Sequence, residues 1–449
     1  MSTESKNIAV VGGGIAGLSA AWALSRHHHV TLIEQNAYLG GHSNTVDIDD
    51  NGRKIAVDTG FIVFNPPNYP YLVELFKTLE VETVETNMSF GVSMRDGTFE
   101  YAGSDLNGLF AQRGNLLKPK FWRMLNDVRR FYRSAPGYLQ NAGGRSIGEL
   151  LENHRFSEVF IDDHLMPMAA AIWSASREDI EKYPADAFIR FFANHGLLEL
   201  GERPLWNTVK GGSREYVKRL VADTAYAGIV HHAAERLERT ADGIRILCSD
   251  GESHAFDEAV LACHADEALS LLAQPSVNEQ KVLGAFQYSH NEAVLHEDPA
   301  LMPRRRAAWS SWNYIEKRPQ ATEETTEQNE PLCVSYWMNR LQALPTERDI
   351  IVTLNPNVEP DADKVLRRFQ YTHPIFDQNT NTAQHASVDI QGKNRVWFCG
   401  SYLGHGFHED GIQSGLWVAE QFNCAPAWQM ASPFPRLPDS YHAKKRLAA

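Results

Sequence analysis

The sequence predicts an α/β chain, and three features near its start predict it. A short apolar run, "IAVV" (Ile8 to Val11), leads straight into Gly12-x-Gly14-x-x-Gly17. Ile15, Leu18 and Trp22 then recur at helical spacing. A second apolar run, "VTLIE", ends on Glu34. Short β-rich apolar runs mark buried parallel strands. Strand, helix and strand therefore form one βαβ unit of the Rossmann type.

Each position has a physical task. Gly12 permits a tight turn, Gly14 lets the backbone approach a pyrophosphate, and Gly17 lets helix and strand pack closely. Ile15 and Ala16 open a helix whose first N–H groups are free for phosphate oxygens. Glu34, followed by Gln35, can accept a hydrogen bond from a ribose hydroxyl. An acid there argues against a 2'-phosphate. The motif by itself does not separate NAD from FAD.

Composition narrows the class. Hydrophobic residues make up 43% of the 449, and charged residues 22%, as in ordinary globular chains. A net charge of -13 argues against a nucleic-acid partner. The five cysteines, Cys248, Cys263, Cys333, Cys399 and Cys424, form no C-x-x-C pair. A reducing, cytoplasmic setting is expected, with neither a disulfide framework nor a zinc cluster. No signal peptide or membrane-spanning run is visible. His27, His28 and His29 fall between the first helix and second strand and are expected in a solvated loop.

Downstream of Glu34 come "LGGHSNT" (Leu39 to Thr45) and "VDTGFIVF" (Val57 to Phe64). On these segments the chain resembles the flavin-dependent amine oxidase and phytoene desaturase superfamily. The resemblance implies a GR2-type FAD-binding domain with an inserted α+β substrate domain. In that family a Gly-Gly-Arg element touches the FAD phosphates. Here Gly40 and Gly41 match, His42 replaces the arginine, and Ser43 follows. Thr59, Gly60 and Phe61 match the family's stretch beside the flavin ring. Ala234 matches a strand position passing the adenosine. Non-covalent FAD is the implied cofactor.

The FAD-binding domain is expected to be discontinuous, over 1–65, 208–275 and 390–424. The substrate domain is expected over 66–207, rich in helical patterns, and 276–389, rich in strands. The polar run from Lys317 to Pro331 is expected to be an exposed loop. Residues 425–449, with four prolines and a basic "KKR" (Lys444 to Arg446), are expected to form a weakly ordered tail.

Near the C-terminus lies "CGSYLGHGFHEDG" (Cys399 to Gly411). Asp410 and Gln413 have capping-box spacing, which places a helix start at about Gly411 and leaves His405 and His408 in the preceding loop. The resemblance implies that Gly411 and Ile412 present N–H groups to the flavin's N1–C2 edge. Gly400-Ser401 stands where the family has Gly-acid, leaving Ser401 as a weaker contact. No metal is expected.

Candidate catalytic residues are His405, His408 and Glu409 in this stretch, and His296 in the substrate domain; an imidazole can act as a base near neutral pH. His373 lies where the family carries a residue near the ring. Tyr402, Phe407, Tyr371 and Trp337 are candidates for an aromatic cage. "LHEDPALMPRRRAAWSSWNY" and "GSYLGHGFHEDG" resemble bacterial members linked to modified fatty-acid metabolism. That implies an FAD-dependent oxidoreductase taking hydride from a lipophilic or amine substrate. A double-bond isomerase and a cofactor-free escort protein are the alternatives.

One further stretch stands out. From Arg113 to Arg133 the chain carries Arg113, Lys118, Lys120, Arg123, Arg129, Arg130 and Arg133 against only Asp127, interleaved with Phe121, Trp122, Phe131 and Tyr132. It reads either as a solvated helix face or as a peripheral contact with the anionic inner face of a membrane.

Overall fold

The first strand, β1 (Asn7–Val11), and the second, β2 (His29–Ile33), lie in parallel with Asn7 opposite His29 and Val11 opposite Ile33. The helix α1 (Ile15–Leu24) crosses between them. In the computed structural model, which describes residues 4–139, 144–173, 176–194, 196–198, 205–316, 333–428, 430 and 432–443, these elements centre a five-stranded sheet. Its order is Tyr226–Val230, β2, β1, Glu258–Leu261 and Val396–Phe398, every pair parallel. Ile8, Ala9 and Val10 are fully buried, as a strand covered on both faces requires. The expected α/β architecture is the one observed.

A small antiparallel meander (Ala234–Arg239, Ile244–Cys248, Ser253–Phe256) branches from this sheet. A second, seven-stranded sheet runs in the order Val365–Ile375, Gln287–His296, Ile351–Leu354, Cys333–Trp337, Trp312–Ile315, Phe90–Met94 and Phe99–Ala102. The stretch 66–207, rich in helices as expected, also holds strands. Phe90–Met94 and Phe99–Ala102 join this sheet, and their nearly continuous burial hides the alternation that marks a half-exposed strand. The helices after them pack around Phe131, Phe160, Phe188 and Phe192.

α1 is buried along its whole length. Its second partner, after the sheet, is the helix His408–Gln421, called here the closing helix. The two backbones touch. A Cβ on Gly415 would lie 2.2 Å from the Ala16 carbonyl oxygen, and one on Gly411 2.9 Å from Ile15 Cγ2.

The closing helix begins three positions before its expected start. Asp410 is its third residue rather than its cap: Asp410 Oδ2 accepts the Phe407 N–H at 2.8 Å, and the Gly411 N–H donates to the Phe407 carbonyl. Asp410 reaches back, as Gln413 was expected to do. Gln413 is instead spent on Glu409, at 2.6 Å, and on the Arg436 N–H, at 2.9 Å.

The tail is packed as far as it is described, contrary to expectation. Phe434, Leu437 and Tyr441 are buried, and the Tyr441 hydroxyl meets Ser387 Oγ at 2.8 Å and Gln391 Nε2 at 3.0 Å. The prolines read as breakers, but three apolar anchors between and after them pin the segment. The basic Lys444 to Arg446 and the Lys317 to Pro331 loop lie outside the described residues. Of the three adjacent histidines, His28 is buried and accepts the Lys6 N–H.

A test of the helix contact follows. Gly415→Ala should cost about 1–3 kcal/mol, because the Cβ meets backbone that cannot move aside. Gly137→Ala, in an exposed helix position with no neighbour within 4 Å, should be neutral or slightly stabilising. Thermal melts of the two variants compare them; equal Tm values would refute the close contact.

Candidate functional site

The dinucleotide end is built by two turns stacked on each other. Gly12, at φ +107°, sits where a Cβ would lie 2.8 Å from the Ala262 carbonyl oxygen. Gly14 precedes α1 and faces open space, with nothing within 4 Å of a Cβ there. The second turn, Gly40-Gly41, has both residues at positive φ; the Gly40 N–H donates to the Gly13 carbonyl at 2.8 Å. A Cβ on Gly41 would press on Gly14 Cα at 3.1 Å. Glu34 is buried, and its Oε2 accepts the Gly13 N–H at 2.6 Å. Its Oε1 accepts the Asn36 N–H and Nδ2 at 2.8 and 2.7 Å. One acceptor position remains on Oε2. Gln35 is exposed beside it, and Ala234 is half-buried where the meander begins.

From Gly41 the chain runs into a group of histidines and aromatics. His408, the first residue of the closing helix, has Nε2 2.9 Å from Ser43 Oγ and 3.1 Å from the Tyr216 hydroxyl. Ser43 and Tyr216 are themselves 2.5 Å apart. The Phe61 ring stacks on the His408 ring at 3.7 Å. The His42 ring lies 5.1 Å from Tyr371 and 5.5 Å from His373. The Tyr371 hydroxyl is 2.8 Å from Thr59 Oγ1, and His373 Nδ1 is 3.1 Å from Asn291 Nδ2. Gly60 permits this approach, since a Cβ there would sit 2.2 Å from the His42 carbonyl oxygen.

Burial holds these imidazoles neutral. It lowers His42 to about 4, with the nearby His264 adding to the effect. Burial and neighbouring imidazoles lower His373 and His408 to about 3. All three residues are nevertheless only partly buried. A side chain crowded enough to lose its charge, yet still touching solvent, lines a recess. His42 Nε2 is shut off from solvent and has no hydrogen-bond partner, while the ring is bonded to the Thr372 backbone. It is an orphaned polar atom beside the glycine turns, and a buried polar atom calls for a partner.

Three of the four expected catalytic residues face elsewhere. The Glu409 carboxylate accepts the Tyr71 and Leu72 N–H groups at 3.0 and 3.1 Å, capping the helix α2 (Pro70–Thr78). Burial raises Glu409 to about 7. His296 ends a strand of the seven-stranded sheet. Its Nε2 lies 2.7 Å from Thr353 Oγ1 and its Nδ1 accepts the Asp298 N–H, so both ring nitrogens are used. His405 is lowered by burial, and the charges acting on it come from Asp410, Arg436, Arg190 and Asp186, on the side of the helical layer and tail. Only His408 joins the recess.

Gly411 and Ile412 also differ from expectation. The Gly411 N–H is held by Phe407 and Ile412 is fully buried, so neither offers a donor to a ring; Gly411 serves the contact with α1. The Gly400 N–H donates to Ser414 Oγ at 2.9 Å, and Ser401 opens a one-turn 3-10 helix with its side chain half-buried. Among the cage candidates only Tyr371 reaches the recess. Tyr402 packs on Phe286, Phe407 stacks on Phe191, and Trp337 meets Trp309. Tyr216 was missed, because it lies on the apolar stripe of Arg214–Ala222 and reads as core. Among the described residues no group of three or more His, Cys, Asp or Glu is placed to hold a metal.

Residues 10–79 match the family model of an NAD(P)-binding Rossmann-like domain. A 54-residue stretch, 11% of this chain, is 46% identical to cinnamate reductase of Clostridium sporogenes and spans only 8% of that protein. Across the whole structure, a triple mutant of putrescine oxidase redesigned in its cofactor binding superposes with a TM-score of 0.66 at 14% identity, over 93% of this chain and 99% of that one. This chain has the amine oxidase fold. Cyclohexylamine oxidase from Brevibacterium oxydans shares it, with a TM-score of 0.63 at 13% identity over 94% of this chain and 100% of that one. So does a CLA-producing fatty acid isomerase from P. acnes, with 0.61 at 13% identity over 92% and 97%. The superfamily resemblance noted in the sequence is therefore matched in the fold.

The residues at the glycine turns fit a bound dinucleotide. Gly14 leaves room for a pyrophosphate, Glu34 keeps an acceptor for a ribose, and His42 Nε2 lacks a partner. Gly14→Val should therefore fold normally, because its Cβ enters open space, yet purify without nucleotide. Gly12→Val should destabilise the fold itself. Melting curves and the absorbance of released cofactor separate the two; a Gly14→Val protein that keeps its nucleotide would refute the assignment.

Glu409 supplies a pH test. Its folded carboxyl keeps its proton up to about pH 7, against 4.5 for the free group. Stability from this group is full below the lower value and is lost as pH rises through the higher, by at most about 3 kcal/mol. Glu409→Gln should flatten the fall in Tm between about pH 5 and 8. An unaltered slope would mean the folded carboxyl is ionised throughout.

Proposed function

We propose that the chain is an FAD-dependent oxidoreductase that takes hydride from an uncharged, lipophilic substrate rather than from a cationic amine. The observation that carries this reading is the charge of the recess. No carboxylate acts on His42, His373 or His408; among the described residues the ionisable groups acting on them are other imidazoles. Two acids on neighbouring elements are spent. Glu409 caps α2, and Asp58 is bound to Ser213, Thr45 and Gln342. The aromatic faces are occupied as well, Phe61 by His408 and Tyr371 by His42 and Phe369. A buried ammonium group would find neither counter-charge nor open ring face.

Gly12, Gly14, Gly17, Glu34, Gly40, Gly41 and His42 would hold the FAD, and the bound flavin would supply the hydride acceptor. The protein's own residues bind and orient. His408, fixed by Ser43 and Tyr216, is held neutral and is a poor base at pH 7, because an efficient base has a pKa near the working pH. It serves as a fixed hydrogen-bonding wall. His42, free near pKa 4, gains a partner at Nε2 when a phosphate arrives and takes up a proton there.

Two measurements test this. Anaerobic mixing with fatty acyl chains should bleach the flavin, and amines should not; His408→Ala should slow bleaching while leaving FAD bound. Reoxidation by O₂ or a quinone then identifies the acceptor. Bleaching by amines alone overturns the substrate class. Double-bond migration with no acceptor assigns an isomerase, and a colourless protein that binds lipid assigns an escort role. For His42, FAD affinity should rise as pH falls from about 7.5 to 5.5, following proton uptake at that ring. His42→Ala should weaken binding about tenfold and abolish the pH effect. His42→Arg should restore affinity without pH dependence. A pH-independent wild type would remove His42 from the phosphate.

A further inference from the structure

Among the described residues, four of the nine large apolar side chains that stand exposed fall in one short segment. Leu106 is 74% exposed, Leu116 44%, Leu117 89% and Trp122 50%. They belong to a short helix (Leu106–Leu109), a 3-10 turn (Arg113–Leu117) and the start of a long helix (Pro119–Tyr138). The three pieces form one knob. Arg113 Nη2 donates to Asn107 Oδ1 at 2.7 Å, Trp122 Nε1 donates to the Leu116 carbonyl at 2.9 Å, and the Phe110 and Trp122 rings lie 6.0 Å apart. Phe121, Phe131 and Tyr132 of the long helix turn inward, so of the interleaved aromatics only Trp122 stays outside.

Positive charge surrounds the knob. Lys118, Lys120, Arg123, Arg129 and Arg133 are exposed, and among the described residues none has a carboxylate within ion-pair distance. Two acids of this stretch are committed. Asp105 caps the short helix through the Gly108 N–H, and buried Asp127 takes Ser157 and Arg130. This basic patch stands on a chain of net charge -13.

We propose that the 106–133 knob docks on the surface of an anionic phospholipid bilayer. Leucines at a loop tip enter the acyl boundary, an indole prefers the headgroup level, and lysines and arginines around them meet lipid phosphates. Two copies meeting patch to patch would oppose like charges, so a second copy fits this surface poorly. The inference does not depend on the cofactor. It places the protein where a lipophilic substrate resides.

The test is co-sedimentation of the purified, FAD-loaded protein with vesicles of phosphatidylcholine alone, or of phosphatidylcholine mixed with phosphatidylglycerol. Binding to the mixed vesicles should be at least about tenfold tighter and should weaken with salt. Leu117→Ser with Trp122→Ser, and separately Lys118→Gln with Lys120→Gln and Arg123→Gln, should each weaken it about tenfold or more, while Tm and flavin content stay unchanged. Equal pelleting with both vesicle types, no pelleting with either, or full binding by the variants overturns the proposal. So does an oligomer, seen by sedimentation equilibrium without lipid, that either variant dissociates.

Discussion

The recess depends on one contact, the touch of two helix backbones at Ala16 and Gly415. Helices that meet through side chains lie 8–10 Å apart. Here a single added Cβ would reach 2.2 Å from a carbonyl oxygen. That approach carries the start of the closing helix to the opening of α1. It sets His408 against Ser43, although the two are 365 residues apart in sequence. A wider spacing would draw His408 away from Ser43, Tyr216 and Phe61 together.

The same contact explains the electrostatics. The recess is walled by groups that can donate or accept hydrogen bonds without carrying charge. Each imidazole is crowded by aromatics and by another imidazole, so protonating one penalises the next. Glu409, one residue along the closing helix from His408, points to a different neighbour and is satisfied by two N–H groups of α2. Consecutive positions on a helix diverge by about 100°, since 3.6 residues make a turn. That divergence decides which of the two faces the recess.

What the sequence made legible was local. The strand, glycine turn, helix and terminal acid of the βαβ unit announce themselves within one short segment, because each needs only its neighbours to be recognised. Gly40 and Gly41 were legible through the family resemblance of the segment that holds them. The assignments that failed turn on distant partners. His296 is occupied by Thr353, and Glu409 by the backbone of residues 71 and 72, neither of which is visible from the motif around it. Asp410 fits both the capping position and the third helical position, and only the Phe407 N–H decides between them. In the tail, the prolines spoke louder than Phe434, Leu437 and Tyr441, whose partners lie elsewhere in the chain. Tyr216 shows the converse, a residue whose helical spacing says core while its hydroxyl serves the recess.

The burial of α1 on every side has a consequence for how the chain is made. Its partners are β1 and β2 within the first segment, then the helix Arg214–Ala222 and the closing helix. During synthesis the βαβ unit emerges well before the closing helix that covers it. Domains generally fold as units, and unpaired strand edges are prone to aggregate. The βαβ unit of this chain must therefore wait for later strands to cover its two edges, Tyr226–Val230 beside β2 and Glu258–Leu261 beside β1, and longest for the closing helix to cover α1. Until the closing helix arrives, one apolar face of α1 stays open, the kind of surface that chaperones shield.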